Sequence, residues 1–265
     1  MVTKAFKSVK LRPLLLKWYD IHGRDLPWRT KGNIKPNPYH VWLSEVMLQQ
    51  TTVATVTNYF YRFIHRWPTL NDLALASLDD ILVAWQGLGY YSRARNLYKA
   101  AQHFQNLKGL PQSITDLKKL PGVGDYTAAA LAAIIYGDEV VPVDGNVIRV
   151  LARVFALQQP LPLLKKAIFE KTRLLEKGER PGDFAQALMD LGAIICRSKN
   201  PMCEQCPLKV LCQAYAKGWQ KKLPVPALKK PKPVRYGAVF LIQNEKREIR
   251  LRYRPPMPKH GKKCP

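Results

Sequence analysis

The stretch K-L-P-G-V-G-D-Y-T-A-A-A-L-A-A-I-I-Y-G-D-E-V-V-P-V-D-G-N occupies residues 119–146 and has three parts. Residues 120–124 predict a tight turn whose two glycines tolerate positive φ and let another backbone approach closely. Residues 127–136 are rich in alanine and predict a helix that packs tightly. Gly137 ends this helix, and Asp144 follows a short apolar run. Free amides at a helix N-terminus can hold a phosphate, but a purely structural hairpin fits this stretch equally well.

The composition gives the chain a strong positive charge. Its 265 residues, enough for one large or two small domains, include 43 Lys and Arg against 19 Asp and Glu, a net charge of +24. Residues 217–265 hold fifteen basic and two acidic residues, and the preceding part is also basic. The positive electrostatic field of such a chain attracts polyanions, so nucleic acid is the predicted partner. The alternative is a basic protein without such a partner.

Targeting and membrane signals are absent from the sequence. No apolar run approaches the roughly 20 residues that a membrane span needs, and the N-terminus lacks the core of a signal peptide. We therefore expect an intracellular, cytoplasmic monomer without a membrane partner, associated with the nucleoid if the source is bacterial. Four of the five cysteines fall within seventeen residues, which indicates a metal site in a reducing compartment rather than a disulfide scaffold.

Helical periodicity dominates the first 216 residues and predicts an all-α fold. A Pro- and Lys-rich linker at 217–234 should be extended and pack poorly. Beyond it, residues 236–243 and 248–253 alternate around a turn at 244–247, which predicts a β-hairpin. A solitary hairpin is marginal in water. The predicted helices cover residues 11–21, two segments within 39–67, and residues 70–85, 92–107, 127–136, 146–157, 163–176, 184–196 and 212–219.

The clustered cysteines follow the pattern C-x6-C-x2-C-x5-C at Cys196, Cys203, Cys206 and Cys212. Thiolates suit either zinc or an iron–sulfur cluster. Structural zinc sites usually use two C-x2-C pairs, whereas only the central pair here has that spacing. A [4Fe–4S] cluster accepts a wider loop and is therefore favoured over zinc. The first gap carries Arg197 and Lys199, which the folded loop would hold against a phosphate.

Together with the four clustered cysteines, six sequence motifs make the chain resemble the endonuclease III superfamily of helix-hairpin-helix base-excision glycosylases. Within that superfamily it resembles the adenine DNA glycosylases of the MutY type. The resemblance spans about residues 8–254. The motifs read L-P-W-R, W-L-S-E-V-M-L-Q-Q-T, G-L-G-Y-Y-S-R-A-R-N-L, L-P-G-V-G, V-D-G-N-V and M-D-L-G-A-I-I-C.

The resemblance implies a two-lobed, all-α helix-hairpin-helix glycosylase fold with an iron–sulfur cluster domain. DNA would lie between the lobes, and the target base would leave the stack and enter the cleft. A Nudix-like domain would follow, of which this chain carries only a truncated segment with a β-hairpin remnant. We expect residues 1–29 to form an N-terminal helix and pocket loop packed with 138–216, residues 30–137 the helical barrel lobe, 138–216 the cluster lobe, 217–234 the basic linker, and 235–265 the truncated segment.

The implied activity is hydrolysis of the N-glycosidic bond of adenine mispaired with 8-oxoguanine or guanine, in base-excision repair of double-stranded DNA. In bifunctional relatives a nucleophilic lysine stands two residues after the second hairpin glycine. Tyr126 occupies that position here, so no Schiff base is expected and the enzyme should be monofunctional. Truncation of the Nudix-like segment should weaken discrimination for adenine opposite 8-oxoguanine over adenine opposite guanine.

Adenine removal needs a general acid for the leaving base and negative charge near the anomeric carbon. By resemblance Glu45 supplies the acid and Asp144 the charge, while Tyr126 and Asn146 position them. Glu45 lies between apolar helix positions, so burial should raise its pKa. The alternatives are a helix acid without a task at Glu45 and an ordinary Asp-Gly turn at Asp144.

The remaining roles are also implied by the resemblance. A [4Fe–4S] cluster would be held by the four clustered cysteines. Two other readings stay open: a DNA-binding remnant with weakened catalysis, and a glycosylase for another base, such as thymine opposite guanine. The pocket residues would be Arg24, Leu26, Trp28, Arg29 and Gln186, and the DNA contacts Gln49, the wedges Gln50 and Tyr90, the hairpin residues Gly122, Val123 and Gly124, and the cations Arg197 and Lys199.

Overall fold

The computed structural model describes residues 4–30, 34–104, 109–175, 177–227, 234, 236–238 and 240–251. The described part is helical, as predicted, and no helix in it has the length and apolar character to cross a membrane. Short 3-10 turns at Cys203–Gln205 and Lys209–Leu211 precede the last helix. The α-helices are α1 (Lys4–His22), α2 (Pro38–Leu48), α3 (Val53–Arg66), α4 (Leu70–Leu75), α5 (Leu78–Ala84), α6 (Ser92–Phe104), α7 (Ile114–Leu117), α8 (Asp125–Leu131), α9 (Gly145–Val154), α10 (Leu163–Thr172), α11 (Pro181–Ile194) and α12 (Gln213–Ala216).

Capping residues fix several helix starts and explain one error. Asn37 caps α2 and Pro38 supplies a favourable φ at its first position. The prediction of one helix over residues 70–85 was wrong, because Ser77 begins a second helix there. Its hydroxyl accepts the Asp80 amide at 3.1 Å, and such a capped start satisfies an amide that would otherwise lack a partner.

The described residues up to 227 form two hydrophobic clusters. The first joins α2 to α8 around large side chains such as Trp42 and Phe60. The second joins α1 to α9, α10 and α11 around residues such as Leu15 and Phe184. Each buried side chain of this size contributes about 1.5–3 kcal/mol. Helix α8 contributes to both clusters and continues into a π-helical turn, Ala132–Tyr136, that ends at Gly137 with φ 73°.

The chain divides into a unit of residues 1–227 and a unit of residues 228–265. Leu223 is buried and its carbonyl accepts Arg153 Nε at 2.9 Å, so the first unit extends past the predicted start of the linker at residue 217. In the second unit, Asn244 N donates to Glu248 O at 3.1 Å, as the predicted turn requires.

The predicted strands of the hairpin do not form in the described part of the second unit. Gln243 and Ile249 make a single antiparallel bridge there, and residues 240–251 lie mostly exposed. A two-stranded hairpin without a packed face is marginal, which accounts for this short pairing. Residues 235, 239 and 252–265 of the predicted Nudix-like segment lie outside the described residues.

Candidate active site

One cavity of about 530 Å³ is lined by side chains from both hydrophobic clusters. It brings together residues that are far apart in the sequence. Tyr90, the three hairpin residues, Arg197, Lys199 and the four cysteines are not among its lining residues. Eleven of the residues predicted for the site line it: Arg24, Leu26, Trp28, Arg29, Glu45, Gln49, Gln50, Tyr126, Asp144, Asn146 and Gln186.

Glu45 projects into the cavity from α2, the helix that Asn37 caps. It is only 7% exposed, and its Oε2 atom has no hydrogen-bond partner within the described part of the chain. A buried carboxyl oxygen without a partner is costly. It is therefore available to a ligand that enters the cavity.

The surroundings of Glu45 favour its protonated form. Burial, the largest effect, raises the pKa of Glu45 to about 7, and the charge of Asp144 acts in the same direction. The neighbouring phenol of Tyr126, whose hydroxyl donates to Met189 Sδ at 3.6 Å, and the charge of Arg29 lower the pKa of Glu45. Burial raises the pKa of Tyr126 well above its usual value, so its phenol stays protonated as a donor. The Glu45 carboxyl can thus hold or release a proton near neutral pH.

Asp144 is fixed by the start of α9, which it caps. Its Oδ1 accepts the Val147 amide at 2.7 Å, and its Oδ2 accepts Asn146 Nδ2 at 2.9 Å. Asn146 Oδ1 in turn accepts Arg149 Nη2 at 2.7 Å, and Arg149 Nε donates to Cys196 O at 2.7 Å. The carboxylate is therefore held rigidly at the edge of the cavity, and Asn146 has the contact expected of a positioning residue.

The loop with Arg24 and Arg29 is anchored by Asp190 of α11, a residue that sequence reasoning missed. Asp190 is fully buried. Arg29 donates to both of its oxygens, at 2.7 and 3.0 Å, and Arg24 donates through Nε at 2.7 Å and through its amide at 2.9 Å. Burial alone would raise the pKa of Asp190, but the hydrogen bonds and charges of the two arginines hold it below its usual value.

A sequence signal for Asp190 existed within the motif M-D-L-G-A-I-I-C. Its carboxylate follows Met189 and precedes Leu191, inside a mostly apolar helix. A charged residue in such a run must be paired when buried. Gln186 and Met189 of the same helix line the cavity, and Met189 was not predicted.

The two glycines of the hairpin differ in backbone conformation. Gly122 has φ 80°, and a Cβ there would lie 2.9 Å from the Asn96 side chain, so the turn needs glycine at this position. Gly124 has φ −93°, so it does not use the positive φ that a glycine tolerates. It begins α8 without a side-chain cap. Gln49 Nε2 donates to Gly122 O at 3.4 Å and links α2 to the hairpin.

The two predicted wedge residues share a strained backbone. Gln50 has φ 59° and Tyr90 has φ 46°, and Tyr90 is 62% exposed. Such non-glycine conformations cost about 1–3 kcal/mol and persist where the surroundings enforce them. The buried Arg93, which sequence reasoning also missed, joins both turns. Its guanidinium donates to Met47 O at 2.7 Å, to Leu88 O at 2.9 Å and to Thr51 Oγ1 at 3.0 Å.

The four clustered cysteines line a second, small cavity of about 20 Å³. In the part of the chain that the structure describes, no three His, Cys, Asp or Glu side chains stand close enough to hold a single metal ion. Four thiols around one cavity are nevertheless the donor set of an iron–sulfur cluster.

Arg153 of α9 holds the loop that follows Cys196. Its Nη1 donates to Cys196 Sγ at 3.3 Å and to Arg197 O at 2.7 Å. Arg197 and Lys199 are exposed on this loop, and Arg197 Nη2 donates to Asn200 O at 3.3 Å. The loop therefore carries two accessible cations on an anchored backbone.

Comparisons with known proteins agree with the fold. Residues 43–174 match the family described as HhH-GPD superfamily base excision DNA repair protein. The chain is 46% identical over 221 residues to the adenine DNA glycosylase of Homo sapiens, covering 80% of this chain and 40% of that protein. It is 38% identical to the adenine DNA glycosylase of Buchnera aphidicola subsp. Acyrthosiphon pisum, covering 88% of this chain and 67% of that protein. It thus spans less than half of the length of the mammalian relatives.

Two solved structures show the same architecture. A thermostable thymine-DNA glycosylase superposes with a TM-score of 0.69 at 29% identity, covering 80% of this chain and 98% of that one. A trapped covalent intermediate of endonuclease III with DNA superposes with a TM-score of 0.66 at 22% identity, covering 82% and 99%. The endonuclease III likeness concerns the fold alone.

Proposed function

Because the chain belongs to the adenine DNA glycosylases of the HhH-GPD superfamily, we propose that it is a monofunctional glycosylase for adenine mispaired with 8-oxoguanine or guanine in double-stranded DNA. One observation carries the proposal. The buried Glu45 carboxyl, with a pKa near 7 and an oxygen without a partner among the described residues, shares a cavity with Asp144. That combination suits an acid and a charge on opposite sides of a glycosidic bond.

Glu45 acts as the general acid in this proposal. Its proton passes to a ring nitrogen of the extruded adenine, so that the base leaves as a neutral species. The resulting carboxylate then accepts a proton from the water that attacks the anomeric carbon. Tyr126 supports this by lying beside Glu45, where it acts on the Glu45 pKa, and its hydroxyl is held by a hydrogen bond to Met189 Sδ at 3.6 Å.

Asp144 supplies the negative charge for the oxocarbenium-like transition state, or bonds to the sugar transiently. Its two oxygens are held by the Val147 amide and by Asn146, so no reorganisation is needed when charge develops. Glycosidases that divide the reaction between two carboxyl groups are a chemical analogy for this step. The wall made by Leu26, Trp28 and Gln186 would enclose the base.

Tyr126 makes the reaction monofunctional, because a phenol cannot form an imine with the sugar. We expect borohydride to trap little wild-type protein on DNA. Efficient trapping would contradict this part of the proposal.

DNA would be held by the remaining predicted residues. Gln50 and Tyr90 would enter the duplex and fill the gap left by the extruded base, with Gln49 beside them. The amides of Gly122, Val123 and Gly124 would hold a phosphate, and Arg197 and Lys199 would contact another. The strained φ of both wedge residues is the kind of feature found at binding sites.

We also propose that Cys196, Cys203, Cys206 and Cys212 hold a [4Fe–4S] cluster. Such a cluster supplies four strong thiolate bonds that fix the loop between its ligands. Arg153 supports the same loop through the Cys196 and Arg197 carbonyls. Iron and sulfide analysis of anaerobically purified protein should give about four of each per chain; stoichiometric zinc would overturn the assignment.

A second candidate is removal of thymine opposite guanine, which the thermostable thymine-DNA glycosylase structure favours. A panel of duplexes distinguishes the two: adenine opposite 8-oxoguanine, adenine opposite guanine, thymine opposite guanine, and adenine opposite thymine as the control. Single-turnover base release from the adenine mispairs, lost in Glu45→Gln and Asp144→Asn, supports the proposal. Release of thymine alone would replace it, and binding without release would leave a DNA-binding protein.

A further inference from the structure

Asp190 is a buried carboxylate that the proposed reaction does not use. It lies on α11 with no exposed surface and stands behind the cavity wall rather than in the wall itself. It accepts from the guanidinium groups of both Arg24 and Arg29 and from the Arg24 amide, at distances between 2.6 and 3.0 Å. A single carboxylate therefore holds both ends of the segment from residue 24 to residue 29.

The segment is also closed on itself. Arg29 N donates to Leu26 O at 2.9 Å, and Arg29 Nη1 donates to Arg24 O at 3.3 Å. Leu26 and Trp28, which lie between the two arginines, are buried side chains of the cavity wall. Their positions thus depend on the contacts that the arginines make.

We propose that Asp190 is a positioning residue with two effects: its carboxylate fixes the wall formed by residues 24–29, and it neutralises the guanidinium charge next to Glu45. The inference rests on the proposed function. It assigns to Asp190, which is not one of the reacting groups, an effect on the shape of the pocket wall and an effect on the charge near Glu45.

The charged and titratable groups around the two carboxyl groups support the second effect. Glu45 faces Tyr126 of α8, Asp144 before α9, and Arg29 of the loop. Asp190 faces Arg24 and Arg29 of the loop and interacts with Tyr19 of α1. Arg29 is common to both sets and lowers the pKa of Glu45. Loss of the Asp190 charge would leave the arginines uncompensated and strengthen that lowering.

The test is the pH dependence of adenine release in single turnover. The wild-type rate should fall as the pH rises through the pKa of Glu45. In Asp190→Asn the midpoint should move down by about one unit. In Arg29→Gln it should move up, and in the double variant it should return close to the wild-type value. Asp183→Asn, which removes a partly exposed acid of the same helix, is the matched control and should leave the midpoint unchanged.

A carbon-13 NMR titration of the Glu45 carboxyl reports the same pKa without turnover. The titration separates the proposed glycosylase function from the proposed role of Asp190. Failure to release adenine from any duplex would contradict the function, whereas the titration would still test whether Asp190 affects the pKa of Glu45. An unchanged midpoint in folded Asp190→Asn would overturn the inference. If Asp190→Asn does not fold, the double variant provides the test, because it buries neither an unpaired Asp190 charge nor an unpaired Arg29 charge. A midpoint in the double variant equal to that in Arg29→Gln would overturn the inference.

Discussion

At the scale of single residues, Glu45 predicts how the activity depends on pH. Burial raises its pKa to about 7, so the acid form is present below that pH and is lost above it. The rate of adenine release should therefore be high in mild acid and fall about tenfold per pH unit above the midpoint. Glu45→Gln should lose at least about 100-fold in rate, while DNA affinity stays within about tenfold. Normal turnover by this variant would remove Glu45 from the mechanism.

The same pKa has a consequence for folding. Since the folded state binds the Glu45 proton more tightly than the unfolded chain, stability is full below the unfolded pKa and falls as the pH rises towards 7. Ionised Glu45 should cost the protein on the order of 3 kcal/mol above that range. Glu45→Gln should recover most of this cost at about pH 8 and little at about pH 4. Urea unfolding at both pH values tests it; equal gains would contradict the linkage.

Which residues the sequence could predict depends on the range of their contacts. The cysteine cluster is visible in the sequence itself. Glu45 and Asp144 stand in short motifs that carry the family resemblance, and the structure brings the two carboxylates into one cavity. Asp190 was missed because its partner Arg24 lies 166 positions away. No local pattern encodes that pairing. Arg93 was missed for the same reason, since its acceptor at Met47 lies 46 positions away.

At the scale of elements, the turn between α5 and α6 carries Tyr90 and depends on glycine. Gly87 has φ +99°, and a Cβ there would lie 2.2 Å from the Tyr59 hydroxyl, which itself donates to Gln86 O at 2.7 Å. Gly87→Ala should therefore cost about 2–3 kcal/mol, because it adds a steric conflict to an unfavourable backbone conformation.

Gly89→Ala is the matched control for this prediction. Gly89 also has a positive φ, of +68°, but a Cβ at this position would meet no atom within 4 Å. That variant should cost only about 1 kcal/mol. Urea unfolding of the two variants measures the difference. Equal losses would show that the Tyr59 contact does not restrict the turn.

The elements also show where periodicity succeeds. It predicted the start of α6 and both ends of α9, helices whose polar and apolar faces differ clearly, to within a few residues; residues 105–107 of the predicted α6 lie outside the described residues. It missed the break between α4 and α5, because that break depends on the capping hydroxyl of Ser77 rather than on hydrophobic spacing. It also missed α7, whose single turn is too short to show a period.

At the scale of the molecule, the resemblance predicted the helical architecture, and the comparisons confirm it. The cavity between the two hydrophobic clusters could not be read from helix positions alone, since it depends on how α2, α8 and α11 pack around the loop at residues 24–29. Charge, in contrast, follows directly from composition. The net charge of +24 predicts that DNA binding weakens steeply with salt.

The loop at Arg197 and Lys199 allows that prediction to be tested at defined positions. Each phosphate contact contributes about one unit to the slope of log K against log salt concentration. Arg197→Ala with Lys199→Ala should therefore lower the slope by about two, equally for mismatched and matched duplexes, with little change in rate at saturating enzyme. Lys209→Ala is the matched control, because Lys209 already pairs with Glu204. Fluorescence anisotropy across a salt series measures both slopes. Equal slopes for the double variant and the wild type would exclude this loop from phosphate binding.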